Sequence, residues 1–200
     1  MVFTPEIWPE ERPPSHAANC TRCELHKQRT RVIWGEGAVD APILALLDNP
    51  GAREDKQGEA FICSTRIMLQ KAINEARLEK SDVYATYLLK CRPIRKYDKT
   101  VAREACSGFL IEQIKQKKPQ IIVLHGLIVA ETVLAQPEAK MSDLRGHWHQ
   151  VFQGIPAIVT YHPLAVHRHP NLYRNFLSDW QMAASKIKEQ TFNQHDSEVK

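Results

Sequence analysis

The groups able to do chemistry in this 200-residue chain are five cysteines, a set of histidines and one Pro-Gly turn flanked by polar side chains. Cys20 and Cys23 have two residues between them, a spacing that lets two thiolates reach one metal ion or cluster from a single turn. Cys91 lies just past an apolar run, and Cys106 lies in the helical pattern that follows, so both can face the corner occupied by the N-terminal pair. Four thiolates suit zinc as well as an iron-sulfur cluster, and inert buried thiols would look the same in sequence. The spacing therefore points to a metal or thiol site without choosing among these. In a reducing compartment disulfides are the least favoured reading, and Cys63, the odd one out, reads as a buried thiol.

The elements that position these groups alternate short apolar runs with helical patterns, as in a parallel sheet covered by helices. Pro42 to Leu47 is a continuous apolar run that ends at Asp48, Asn49, Pro50 and Gly51, which reads as a buried strand entering a turn. Ser64 caps a helix carrying Ile67, Leu69 and Ile73, and Val83 to Leu89 makes a second strand. A helix from about Val101 stops at Pro119, and Ile121 to Leu124 make a third strand. His125 and Gly126 open another helix, Ala157 to Thr160 form a fourth strand ending at Tyr161, His162 and Pro163, and a last helix contains Phe176 and Trp180. The fold class predicted is α/β, a three-layer α/β/α sandwich with a central, mostly parallel four-stranded sheet.

Residues 1–16, interrupted by four prolines, read as an arm without regular helix; residues 17–190 form the domain; residues 191–200 are a polar tail expected to fray. Ligands of open parallel sheets sit outside the carboxyl ends of the strands, so the turns at Asp48 to Gly51, Lys90 to Pro93 and His162 to Pro170 should share one cleft. The net charge of +4 permits a polyanionic partner without requiring one. No apolar run approaches the roughly 18 to 20 residues that span a bilayer, and the N-terminus lacks the sections of a signal peptide. A cytoplasmic protein without membrane contact is expected.

In order along the chain, these segments resemble the family 4 uracil-DNA glycosylases, from about Cys20 to Trp180. The pair in CTRC, the cysteine of KCRP and Cys106 match the family's four ligands to a 4Fe-4S cluster. LDNPGAREDKQGEAF, Leu47 to Phe61, resembles the family's first motif, GEAPG followed by an ED pair and GxPF. Leu144 to Pro163, which includes Arg145, resembles the stretch leading into the HP turn of the second. The resemblance implies the α/β/α glycosylase fold, a 4Fe-4S cluster on Cys20, Cys23, Cys91 and Cys106, and hydrolysis of an N-glycosidic bond in DNA by a monomer associated with the nucleoid.

That reaction passes through an oxocarbenium-like sugar while the base departs with negative charge on its oxygens. The resemblance assigns His162 the hydrogen bond to the departing base and Phe61 the stack against the flipped ring. Asn49, or in second place Asp48, would hold the water; the NPG triplet also resembles GINPG of the mismatch-specific glycosylases, whose asparagine has that task. Arg145 and Arg168 are assigned to DNA, Arg168 to phosphate, and Val166 stands where the family's leucine wedges into the duplex. Lys90, Arg92, Arg95, Lys96 and Lys99 form a basic run that either follows the DNA backbone or is a solvated face. Three departures stand out: LDNPG replaces GEAPG, Val166 and His167 replace two leucines, and Tyr87 occupies the place of the asparagine that reads the edge of uracil. A phenol cannot reproduce an amide's paired donor and acceptor. The base excised is therefore open, and a non-excising iron-sulfur DNA-binding relative is the alternative.

Overall fold

The computed structural model describes residues 3–56 and 63–198, with side chains described up to residue 190. In chain order the strands are β1 (Glu10–Glu11), β2 (Gly35–Gly37), β3 (Ile43–Leu47), β4 (Val83–Tyr87), β5 (Ile121–His125), β6 (Trp148–Val151) and β7 (Ile155–Thr160). The helices are α1 (Ser15–Ala18), α2 (Ser64–Glu75), α3 (Lys99–Lys117), α4 (Leu127–Leu134), α5 (Met141–Leu144), α6 (Pro163–Arg168) and α7 (Tyr173–Glu198). They surround one sheet of order β1-β2-β4-β3-β5-β7-β6.

Sheet and helices make the α/β/α sandwich, but with seven strands rather than four. The four strands read from the apolar runs are the parallel ones, β4-β3-β5-β7. The three additional strands pair antiparallel at the two edges. Their sequences, EE, GEG and WHQV, carry no continuous apolar run: β1 and β6 are the edges of the sheet, and β2, although buried and paired on both sides, is two glycines around a glutamate. Two further differences concern the ends. Glu10–Glu11 joins the sheet and Ser15–Ala18 makes one helical turn, so the N-terminal segment is partly regular despite its prolines, and α7 continues through the polar tail to Glu198.

Alternation along the central strands feeds two apolar layers. Ile43, Ala45, Leu47, Val83, Ala85 and Tyr87 face α2, α6 and α7, where Leu69, Ile73, Val166, Phe176 and Trp180 are buried. Leu44, Leu46, Ile122 and Leu124 face α3 and α4, where Leu110, Ile114, Val129 and Ala130 close the other layer. Asp98 starts α3 by accepting the N–H of Val101 at 3.0 Å. Cys63, not Ser64, is the N-cap of α2, and His125 ends β5 rather than opening a helix. Gly126 then makes the turn into α4 at φ +91°, a left-handed value that glycine adopts without a Cβ penalty.

Candidate active site and cysteine site

Where β3, β5 and β7 end, their turns enclose a cleft of 580 Å³ lined by Asp48, Asn49, Gly51, Glu54, His125, Gly126 and His162 together with Cys63, Ser64 and Thr65 from the start of α2. This is the crevice at the carboxyl ends expected of an open parallel sheet, except that the turn Lys90 to Pro93 after β4 does not line it: Cys91 packs in a separate cluster and Lys90 is buried. The sheet order brings the turns of β3 and β7 together from more than a hundred residues apart, each flanking β5.

His162 is the N-cap of α6, and its Nδ1 accepts the backbone N–H of Leu164 at 3.1 Å. An accepting Nδ1 has no proton, so the neutral ring carries its proton on Nε2. Burial lowers the His162 pKa to about 4, with Glu54 pulling weakly the other way, so the imidazole is a neutral donor at neutral pH. The position is tight: a Cβ on Gly126 would lie 3.2 Å from the Cβ of His162. Behind it His125 is fully buried and lowered to about 3, by burial and by the neighbouring His162.

Across the cleft, burial raises the pKa of Asp48 against the opposing charges of Arg103 and Lys99, and its Oδ1 is buried without a hydrogen-bond partner among the described residues. A buried acceptor of this kind calls for a donor that no described side chain provides. Asn49 donates from Nδ2 to the carbonyl of Pro50 at 2.9 Å, which sets the plane of its amide.

The floor beside Glu54 holds a buried ion network that the motif reading missed. Arg66 NH1 reaches Glu54 Oε1 at 2.6 Å, and its NH2 reaches Glu36 Oε2 at 2.7 Å. A signal was present in the sequence: Arg66, Leu69, Gln70 and Ile73 are buried together at helical spacing, so a cation sits on the apolar face of α2 and must find acidic partners. Burial disfavours the guanidinium's charge, but Tyr87, Glu36 and Glu54 more than offset it, and its pKa rises.

Several sequence assignments change here. Tyr87 does not line the cleft; it is 4% exposed, lies in the layer beneath α2 and bonds to Arg66, because odd-numbered residues of β4 all face that layer. Val166 is 1% exposed and packed against the core side of α6, so it cannot wedge into a duplex. Arg145 is held by Asp179, with NH2 to Oδ1 at 2.8 Å, and by the carbonyl of Asn175 at 3.1 Å, a bracing role between the segment before β6 and α7. Lys90 leaves the basic run: it is buried, and its ammonium donates to Thr86 Oγ1 and to the Tyr87 carbonyl at 2.7 Å each. Arg168 is exposed in the last turn of α6, and Arg95, Lys96 and Lys99 are exposed as well. Phe61 lies outside the described residues.

On the other side of β4, Cys91 and Cys106 are buried in one small apolar cluster with Leu25, Leu89 and Ala102, and Cys23 packs against it. Cys20 packs at the adjoining cluster of Ala17, Trp34 and Phe109. Arg29 ties these segments together: NH1 donates to Cys91 Sγ at 3.3 Å and NH2 to the Cys20 carbonyl at 2.7 Å. Burial pushes the Cys91 thiol up to about 12 and raises that of Cys106. Among the described residues no three His, Cys, Asp or Glu side chains converge closely enough for one metal ion.

The chain is thus an α/β/α domain with a histidine and an Asx pair at the carboxyl ends of its parallel strands. The family model of the uracil DNA glycosylase superfamily matches residues 34–184. The type-4 uracil-DNA glycosylase of Pyrobaculum aerophilum is 34% identical over 176 residues, 82% of this chain and 87% of that protein. That of Thermotoga maritima is 33% identical over 174 residues, 86% and 91% of the two chains, and that of Archaeoglobus fulgidus is 31% identical over 170, 82% and 85%. The chain belongs to the uracil DNA glycosylase superfamily. No helix among the described residues is long and apolar enough to cross a membrane.

Proposed function

We propose that this protein is a DNA repair glycosylase that hydrolyses the N-glycosidic bond of uracil flipped out of DNA. The observation that carries the reading is the neutral His162, fixed by the Leu164 N–H so that its Nε2 proton is available in a cleft it shares with Asp48 and Asn49. His162 donates to the oxygen on which negative charge develops as the base leaves; one such preorganised donor contributes about 3 kcal/mol. Asn49, with Asp48 beside it, holds the attacking water, and Phe61 stacks on the extruded base. Arg168 grips phosphate beside the cleft, and residues 17–190 form the catalytic domain of a monomer acting on DNA in the cytosol.

Cys20, Cys23, Cys91 and Cys106 would hold a 4Fe-4S cluster, which when bound acts as a cross-link pinning the N-terminal segment to β4 and α3. The four reduced thiols, three of them around one apolar cluster, support this assignment. A second reading, a relative that binds lesions without excising them, is favoured by Tyr87, a phenol bonded to Arg66 at the position where the resemblance expects the amide that reads the base.

The test is anaerobic purification followed by assay of uracil, hypoxanthine, xanthine and G-paired thymine release from single- and double-stranded DNA, with His162→Ala alongside. Uracil release that the variant loses is expected. Lesion binding with no release from any substrate would establish the second reading instead.

A further inference from the structure

Three consecutive residues lie between the cysteine site and the wall of the cleft, and each is bonded. Arg29 bridges Cys91 Sγ and the Cys20 carbonyl. The backbone N–H of Thr30 donates to both carboxylate oxygens of Asp55, at 2.9 and 3.1 Å. Arg31 donates from NH2 to the Glu54 carbonyl at 2.8 Å and from Nε to the Lys56 carbonyl at 3.2 Å, while its guanidinium is held from the far side by Glu10. Two residues on, Ile33 N–H donates to the carbonyl of Lys90, next to Cys91.

We infer that Arg29 to Arg31 form a link through which the cysteine site positions the cleft wall at Glu54, with Asp55 as the latch. The claim rests on the glycosylase and cluster reading above and deepens it by assigning positioning residues that touch neither base nor cysteine ligand chemistry in the case of Asp55. The turn from Gly51 to Lys56 has little regular structure of its own; within it the Asp55 N–H donates to the Gly51 carbonyl at 3.2 Å. Among the described residues its other bonds are Lys56 N–H to the Arg53 carbonyl, those to residues 30 and 31, and the Arg66 and Cys63 contacts of Glu54. Asp55 is 2% exposed and its carboxylate is the acceptor of the Thr30 N–H, so removing it takes away the bond that joins the turn to residue 30. Arg29 in turn is fixed at both ends only while the Cys20 and Cys91 segments are held together. Letting those segments part frees Arg29, and the adjacent residues 30 and 31 lose their register on the turn.

The experiment measures hydrogen exchange of peptides spanning residues 51–56 in the protein purified anaerobically, in the same protein stripped of iron by a chelator, and in Asp55→Ala, Asp55→Asn and Arg29→Met. Stripping iron and Asp55→Ala should each speed exchange there by about tenfold or more, the size expected when charge-assisted bonds hold a local opening closed. Asp55→Ala should keep the brown colour and raise KM for uracil-containing DNA more than it lowers kcat, and Asp55→Asn, which retains one acceptor oxygen, should lie between it and the unmodified protein. Arg29→Met should lose both loop protection and iron. Unchanged exchange in the iron-stripped protein overturns the link, and unchanged exchange in both Asp55 variants overturns the latch. A protein colourless as purified overturns the cluster reading and the cysteine end of the link, while the Asp55 variants still decide the latch. Loss of base release with all exchange unchanged would speak against the link and leave the glycosylase reading standing.

Discussion

Leu164 N–H donates to Nδ1 of His162 at 3.1 Å, and that one bond decides which ring nitrogen carries the proton. It makes His162 a neutral donor held in place by the first turn of α6, whose opening Pro163 fixes the chain's approach. Removing the donor with His162→Ala should lower single-turnover base release by about 100- to 1000-fold, the usual loss for one oxyanion donor. Binding of uracil-containing DNA should change far less.

The same group and His125 set a pH dependence of stability. Both imidazoles have folded pKa values, about 4 and about 3, below the ordinary 6.5, because burial disfavours their charge. The native state therefore binds fewer protons than the unfolded one, so their contribution is complete above pH 6.5 and is lost as pH falls through the folded values. Urea unfolding at a series of pH values should show stability level near neutrality and declining below about pH 6, with a shallower decline in His125→Gln.

Asp48 titrates in the opposite sense. Its pKa is raised by burial, so a water-positioning carboxylate here would be protonated at a higher pH than an exposed one. The acid limb of the rate profile should lie above the ordinary carboxylate range and vanish in Asp48→Asn. If Asn49 alone holds the water, Asn49→Ala should abolish release while Asp48→Asn leaves the limb in place.

Gly126→Ala tests how tightly the two turns are fitted. Its Cβ would stand 3.2 Å from that of His162 on a backbone at φ +91°. We expect a loss of base release approaching that of His162→Ala, with a stability cost of about 1 to 2 kcal/mol read by thermal denaturation.

Tyr87→Phe should separate support from recognition. The hydroxyl bonds Arg66 within the buried network of Glu36 and Glu54, so its removal should cost roughly 1 to 3 kcal/mol of stability. The ranking of bases released should stay the same, since the ring is outside the cleft. A changed ranking in a protein of unchanged stability would return Tyr87 to the recognition of the base.

How much was legible beforehand differs by residue. The four parallel strands were readable because each is buried on both faces, which demands runs such as Ile43 to Leu47 and Ile121 to Leu124. The antiparallel strands were not, since Glu10–Glu11 and Gly35–Gly37 owe their pairing to neighbours and not to their own composition. Asp48, Asn49 and His162 could be named from motif and turn chemistry, and strand ends in a parallel sheet must meet at one crevice. Val166 and Tyr87 face the core because one residue along a helix or strand exchanges core for solvent, which motif matching does not register, and Arg145 is taken up by Asp179, 34 residues away.

By itself, then, the sequence determined the α/β architecture with its four parallel strands and the turns at their carboxyl ends, which follow from local pattern and order along the chain. The tertiary structure alone decided how those parts act on one another. The tautomer of His162, the burial that shifts it and Asp48, the Arg66 network and the link from Arg29 to Asp55 depend on distances between residues far apart in sequence. Electrostatic energies and hydrogen bonds depend on those distances and on the solvent excluded between the groups, quantities that exist only once the chain has folded.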